Sequence, residues 1–101
     1  MATISFDPYV LDVLMADLIG HDRKPSAFVV YMHLAGRAHR SRRDVVTASL
    51  QDIATHTGLS KSAVQAAIRH LKRRRLLDVP PSTAPREPRR RVLRPWVRSS
   101  R

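Results

Sequence analysis

Residues 49–77, SLQDIATHTGLSKSAVQAAIRHLKRRRLL, constrain this chain more than any other stretch. Leu50, Ile53 and Ala54 make the apolar stripe of a short helix. Gly58 follows Thr57, where a chain leaving a helix turns through positive φ at least cost. Leu59 is placed to plug the angle between two helices, and Ser60 is a good N-cap for a second helix starting at Lys61. On that second helix Val64, Ala67, Ile68 and Leu71 share one face at spacings of three and four. Ser62, Gln65, Ala66, Arg69 and Arg73 lie opposite, with Lys61 and His70 at the margins. One side is apolar; the other is small, amide-bearing or cationic.

Ala54, Gly58, Leu59, Ser60 and Val64 stand at the spacing of the bacterial helix-turn-helix. The continuation LSKSAVQAAIRHLKRRRLL resembles winged helix proteins of the MarR-type and replication-initiator-type groups. The resemblance implies that the second helix is a recognition helix for the DNA major groove and that a two-stranded wing follows it. It also implies the fold class, mainly α with a small β-hairpin wing. One departure stands out. Those families often place Gly between the recognition helix and the first wing strand, where this chain has Arg75. A non-glycine residue in a left-handed cap costs roughly 1 kcal/mol, so the helix exit is expected to have a different shape.

Charge points the same way. The 101 residues carry a formal net charge of +11, and it is uneven. Residues 1–48 hold six basic and five acidic side chains; residues 49–101 hold thirteen and three. A half so cationic fits a polyanionic partner. The length suits one domain, 1–101, with N-terminal helices over 7–40, the helix-turn-helix over 49–75 and the wing over 76–98. There is no cysteine, which excludes disulfides and thiolate metal sites. No apolar run reaches membrane-spanning length and no signal-type segment opens the chain, so a cytoplasmic, nucleoid-associated protein is expected.

Asp7 and Pro8 form a strong helix start. Residues 9–19 are then apolar almost all the way round, broken by Asp12 and Asp17. Such a helix needs covering on two faces. The part left over, around Leu11, Met15 and Leu18, is expected to pair with a second copy of the chain. A second helix is expected over 27–39, burying Phe28, Tyr31, Met32, Leu34 and Ala35, with Gly36 marking close packing against another helix. Arg37, Arg40, Arg42 and Arg43 near its end complement the helix dipole or touch flanking phosphates. Val45, Val46 and Thr47 fit a small strand that pairs with the wing. Residues 76–79 read as the first wing strand. The four prolines between Pro80 and Pro88 make a loop, and Val92 and Leu93 return from it.

On the recognition helix, Gln65 can bridge N6 and N7 of adenine, and Arg69 can fork onto O6 and N7 of guanine. Ser60, Lys61 and Ser62 suit phosphates at the helix N-terminus. Ala66 is small enough to admit the helix deeply or to meet a thymine methyl, and Arg73 is placed for the backbone. In the wing, Arg86, Arg89, Arg90 and Arg91 are expected on a projecting ribbon that enters the minor groove. The five histidines show no metal-ligand spacing, and there is no nucleophile motif, phosphate loop or paired carboxylate. No cofactor, metal or enzymatic activity is expected. The leading role is a double-stranded DNA-binding transcriptional regulator acting as a homodimer. The alternatives are a plasmid or phage replication or partition protein, and a winged helix module that binds protein.

Overall fold

Two serine caps set the register of the central helix pair. Ser49 Oγ accepts the Asp52 amide at 3.0 Å and opens α2, Leu50–Thr57. Ser60 Oγ accepts the Ala63 amide at 3.1 Å and opens α3, Lys61–Arg73. Each serves an amide that has no intrahelical acceptor, a contribution of about 1 kcal/mol per cap. Between the helices Gly58 has φ 80° and its amide donates to the Ala54 carbonyl. Glycine enters this left-handed conformation without a Cβ penalty. Leu59 is half-buried and packs against the core, so the turn lies where the spacing predicts it.

The computed structural model describes residues 3–80 and 88–97. An N-terminal helical segment of π type, Val10–Leu14 and Ala16–His21, leads to α1, Pro25–Ser41. Strand β1, Val45–Thr47, precedes α2 and α3; β2, Leu77–Asp78, and β3, Arg89–Val92, follow them. The three strands form an antiparallel sheet in the order β1-β3-β2. Val46 stands opposite Arg90, and Leu77 opposite Val92. The result is a winged helix-turn-helix in which β1 completes the wing hairpin, as its β-branched run leads one to expect. The core runs between α1 and the helix-turn-helix, with Val30, Tyr31, Leu34, Ile53, Val64 and Leu71 fully enclosed. Among the described residues no helix is long and apolar enough to cross a membrane.

The first helix departs most from expectation. Asp7 Oδ1 accepts the Tyr9 amide at 3.1 Å, as its capping role requires. Beyond it the Met15 amide reaches the Val10 carbonyl and the Asp22 amide the Asp17 carbonyl, both five residues back. Seven residues come to within about 20° of two full turns of α-helix, which on a wheel places Leu18 close to Leu11. With the wider i→i+5 turns each residue advances by a smaller angle, seven residues fall well short of two turns, and Leu18 swings away from Leu11. Leu18 is 0% exposed beside buried Val10 and Leu14, whereas Leu11 is 53% exposed. The patch expected around Leu11, Met15 and Leu18 therefore loses Leu18 to the core. Met15 is half-buried against that core. Val13 and Ile19 are the other large apolar side chains left exposed on this segment.

Gly36 is covered by the chain's own lead-in and not by another helix. A Cβ built there lies 3.8 Å from Phe6 Cζ and 3.9 Å from Ile4 Cδ1, ordinary contact distances. Residues 93–96 pack back against the first helix and α1. Trp96 stacks on Tyr9 with ring centroids 4.5 Å apart, and the Tyr31 hydroxyl donates to the Leu93 carbonyl at 2.9 Å.

Arg75 corrects the expected change of shape at the end of α3. Its φ is 58°, the left-handed position that glycine usually fills. The Arg75 amide donates to the Lys72 carbonyl and the Leu76 amide to the Leu71 carbonyl, with Leu71 and Leu76 both buried. These are the two bonds and the apolar contact of a Schellman cap. The exit keeps its shape and the arginine backbone carries the strain. Arg75→Gly is expected to stabilise the fold by up to about 1 kcal/mol, read as a melting temperature raised by roughly 4–8 °C. An unchanged or lower melting temperature would show that the left-handed cap is not strained.

Candidate nucleic-acid interface

The face of α3 turned from the core is the surface that the amphipathic spacing predicts. Val64, Ala67, Ile68 and Leu71 are buried, while Lys61, Ser62, Gln65, Ala66, Arg69 and Arg73 are all exposed. Ser60 is exposed too, but its oxygen is already engaged by the Ala63 amide and lies 3.2 Å from Ser62 Oγ. The amides of Lys61 and Ser62 have no acceptor within the helix. Among the described residues neither Arg69 nor Arg73 is held in an ion pair with a carboxylate. Lys72 belongs with this set and was missing from the sequence-based one. It lies on the same arc as Lys61 and is exposed. The run of cations 72–75 hides which of its members the helix turns outward, and only the helical angle separates them.

The wing arginines sit differently from expectation. They do not lead up to the returning strand from a projecting ribbon; Arg89, Arg90 and Arg91 form most of β3, the middle strand of the sheet. Side chains alternate across a strand, so Arg90 shares the face of buried Val92. Its Nε donates to the Ala48 carbonyl at 3.3 Å, and burial pushes the guanidinium below its ordinary pKa. Arg91 turns to the other face, where its guanidinium lies 3.3 Å from Asp78 Oδ2 and 4.0 Å from Asp44 Oδ2. Arg89, opposite Thr47, is half-buried. Arg86 lies outside the described residues.

Two charged clusters brace this surface, and neither is legible in the sequence. At the far end of α3, His70 Nε2 meets Asp22 Oδ2 at 2.8 Å, and Arg74 reaches both Asp22 and Asp17 at 3.0 Å. His70 thus faces the first helix and not the groove side. Asp22 is held below the usual carboxylate range by its hydrogen bond with His21 first, then by His70 and Arg74, against the opposing effect of burial. On the other side Arg37 donates to Asp52 at 2.8 Å and to the Thr47 carbonyl at 3.3 Å. That tie takes Arg37 out of the set of cations open to phosphate, while Arg40, Arg42 and Arg43 stay exposed.

His33 stacks on His56 of α2, ring centroids 5.6 Å apart, and its buried Nε2 has no partner among the described residues. Burial, then the charges of Arg37 and His56, lower its pKa from the usual 6.5, with Asp52 opposing. The unfolded chain therefore binds a proton here before the folded one does. Stability is complete above about pH 6.5 and is lost as pH falls from there toward the lower folded value. The melting temperature is expected to drop between pH 7.5 and 5.5, and His33→Phe to flatten that slope. An equal slope in the variant would assign the pH response elsewhere. Among the described residues no group of three or more His, Cys, Asp or Glu is placed to hold a metal ion.

The family model described as a helix-turn-helix domain matches residues 24–77. The match begins just before α1 and ends in β2, so it takes in both helices around Gly58 and the helix beneath them. No curated protein and no solved structure matches the chain.

Proposed function

The chain belongs to the helix-turn-helix domain family, and from that premise we propose that it is a sequence-specific regulator that binds double-stranded DNA as a dimer. The observation that carries the reading is the outer face of α3. Gln65 and Arg69 stand exposed at its centre, over a ridge of four buried apolar side chains. In the major groove Gln65 pairs with adenine and Arg69 with guanine. Lys61, Ser62 and the helix N-terminus take phosphates, with Ser60 holding that end in shape. Ala66 lets the helix approach closely, and Lys72 and Arg73 follow the backbone. Arg86 and the β3 arginines add charge beside the groove, Arg90 and Arg91 doing so from positions fixed by Ala48, Asp78 and Asp44. A protein-binding use of the same face lacks support, because it presents no aromatic anchor.

Mobility shifts with random duplex DNA, duplex RNA and polyglutamate across a salt series test the partner. DNA is expected to bind most tightly, with log affinity falling by about 0.9 per phosphate contact as log salt rises. Equal binding to all three polyanions would reduce the protein to an unspecific cationic surface.

The dimer rests on Leu11, Val13 and Ile19, the large apolar side chains that the first helix leaves exposed. Two-fold pairing there would set two copies of α3 about 34 Å apart and call for a nearly palindromic site. Light scattering at micromolar concentration is expected to show twice the 11.5 kDa of one chain. A mass of one chain, with no preference for inverted repeats over half-sites, removes the dimer.

A further inference from the structure

A cavity of about 470 Å³ opens between the N-terminal lead-in, α1 and the end of β3, and no residue of α3 lines it. Its volume falls within the ~300–1,000 Å³ usual for small-molecule sites. The floor is apolar, made by Phe6, Val10, Ala35, Ala38 and Val92. Arg42, Arg43 and Arg94 stand around it, and none of the three pairs with a carboxylate among the described residues. The two lining acids are already engaged. Asp7 Oδ1 accepts the Tyr9 amide, and Asp44 lies 4.0 Å from Arg91. The hydroxyl of Tyr31, also in the lining, donates to the Leu93 carbonyl. Ser5 and His39 line it too, and the three arginines supply the guanidinium donors left for a ligand. Arg42 also keeps its guanidinium where the backbone favours glycine, at φ 58° in the cap of α1.

We propose that this cavity binds an amphipathic organic anion: an aromatic or aliphatic body on the apolar floor, and one carboxylate or sulfonate among Arg42, Arg43 and Arg94. A bare phosphate would leave the apolar floor unused. An uncharged hydrocarbon would leave the arginines without a partner. A planar guanidinium fork suits a carboxylate or sulfonate, because it offers two parallel N–H donors to two oxygens. The proposal is independent of DNA binding.

Fluorescence titration of the full chain with 8-anilinonaphthalene-1-sulfonate, and with the neutral N-phenyl-1-naphthylamine, provides the test. One saturable sulfonate site per chain is expected, displaced by decanoate. Arg42→Gly combined with Arg94→Gln is expected to weaken the sulfonate by about tenfold or more while leaving the neutral probe within about twofold. Ala35→Trp fills the floor and is expected to weaken both probes. Arg40→Gln, a loss of charge outside the cavity, is expected to change neither. The proposal is overturned by the absence of a saturable site, or by Arg40→Gln weakening the sulfonate as much as the paired variant does. It is equally overturned if Ala35→Trp, with a wild-type circular dichroism spectrum, binds both probes undiminished. Should Ala35→Trp fail to fold, the paired variant against Arg40→Gln decides alone.

Discussion

Leu18→Asp is expected to unfold the protein or bring it to the edge of unfolding, whereas Leu11→Asp, seven residues earlier on the same helix, should leave the fold almost untouched. Leu18 is wholly enclosed and Leu11 is more than half exposed. A carboxylate at position 18 would enter an apolar setting shared with Val10 and Leu14. Stranding an unpaired charge there costs several kcal/mol, against a total stability of about 5–15 kcal/mol for a domain of this kind. At position 11 the new charge stays in water, and the expected change lies within about 0.5 kcal/mol. Its effect should appear in the mass of the assembly. Urea denaturation followed by circular dichroism reads both variants. Equal midpoints for the two would mean that the widened turns of this helix are wrongly placed.

Arg69→Ala is expected to lose about 1–3 kcal/mol on the preferred duplex and far less on a random one. Arg69 sits mid-helix, exposed, with no carboxylate holding it among the described residues. Truncation is therefore expected to remove a groove contact without loosening the fold. Arg74→Ala is the useful contrast, because it breaks the ties to Asp17 and Asp22. Arg74 and Asp17 are partly open to water and the enclosed Asp22 keeps His21 and His70 as partners, so the loss of stability is modest, and base preference should be kept. Titration of labelled duplexes with both variants separates reading from bracing. If Arg69→Ala weakens preferred and random duplexes alike, the side chain contacts phosphate and does not read a base.

The helix-turn-helix was legible because its determinants are local. A serine cap, a glycine at positive φ and a spacing of three and four each act within a few residues, and each is found where the sequence places it. The exposed face of α3 followed from the same spacing. The first helix was misread because a wheel assumes 100° per residue, and the i→i+5 bonds break that assumption. The wing arginines were misread for another reason. Proline ends a strand on local grounds, but the strand's start depends on Thr47, Val46 and Val45, more than forty residues away, as partners for 89–91. The pairs His70–Asp22 and Arg37–Asp52 are likewise long-range. A single sequence carries no sign that a histidine at the margin of the exposed face of α3 turns inward to an aspartate.

Selection of bound sites from a random DNA pool, run side by side with the wild type and with Gln65→Ala, Arg69→Ala, tests the central claim most directly. The wild type is expected to enrich one motif, nearly palindromic, with half-sites about one helical turn apart and an adenine and a guanine fixed in each. The double variant, still folded and still cationic, should bind DNA but lose preference at those two positions. The same motif enriched by both proteins, or none by the wild type, would contradict the assignment of α3 as the element that reads sequence.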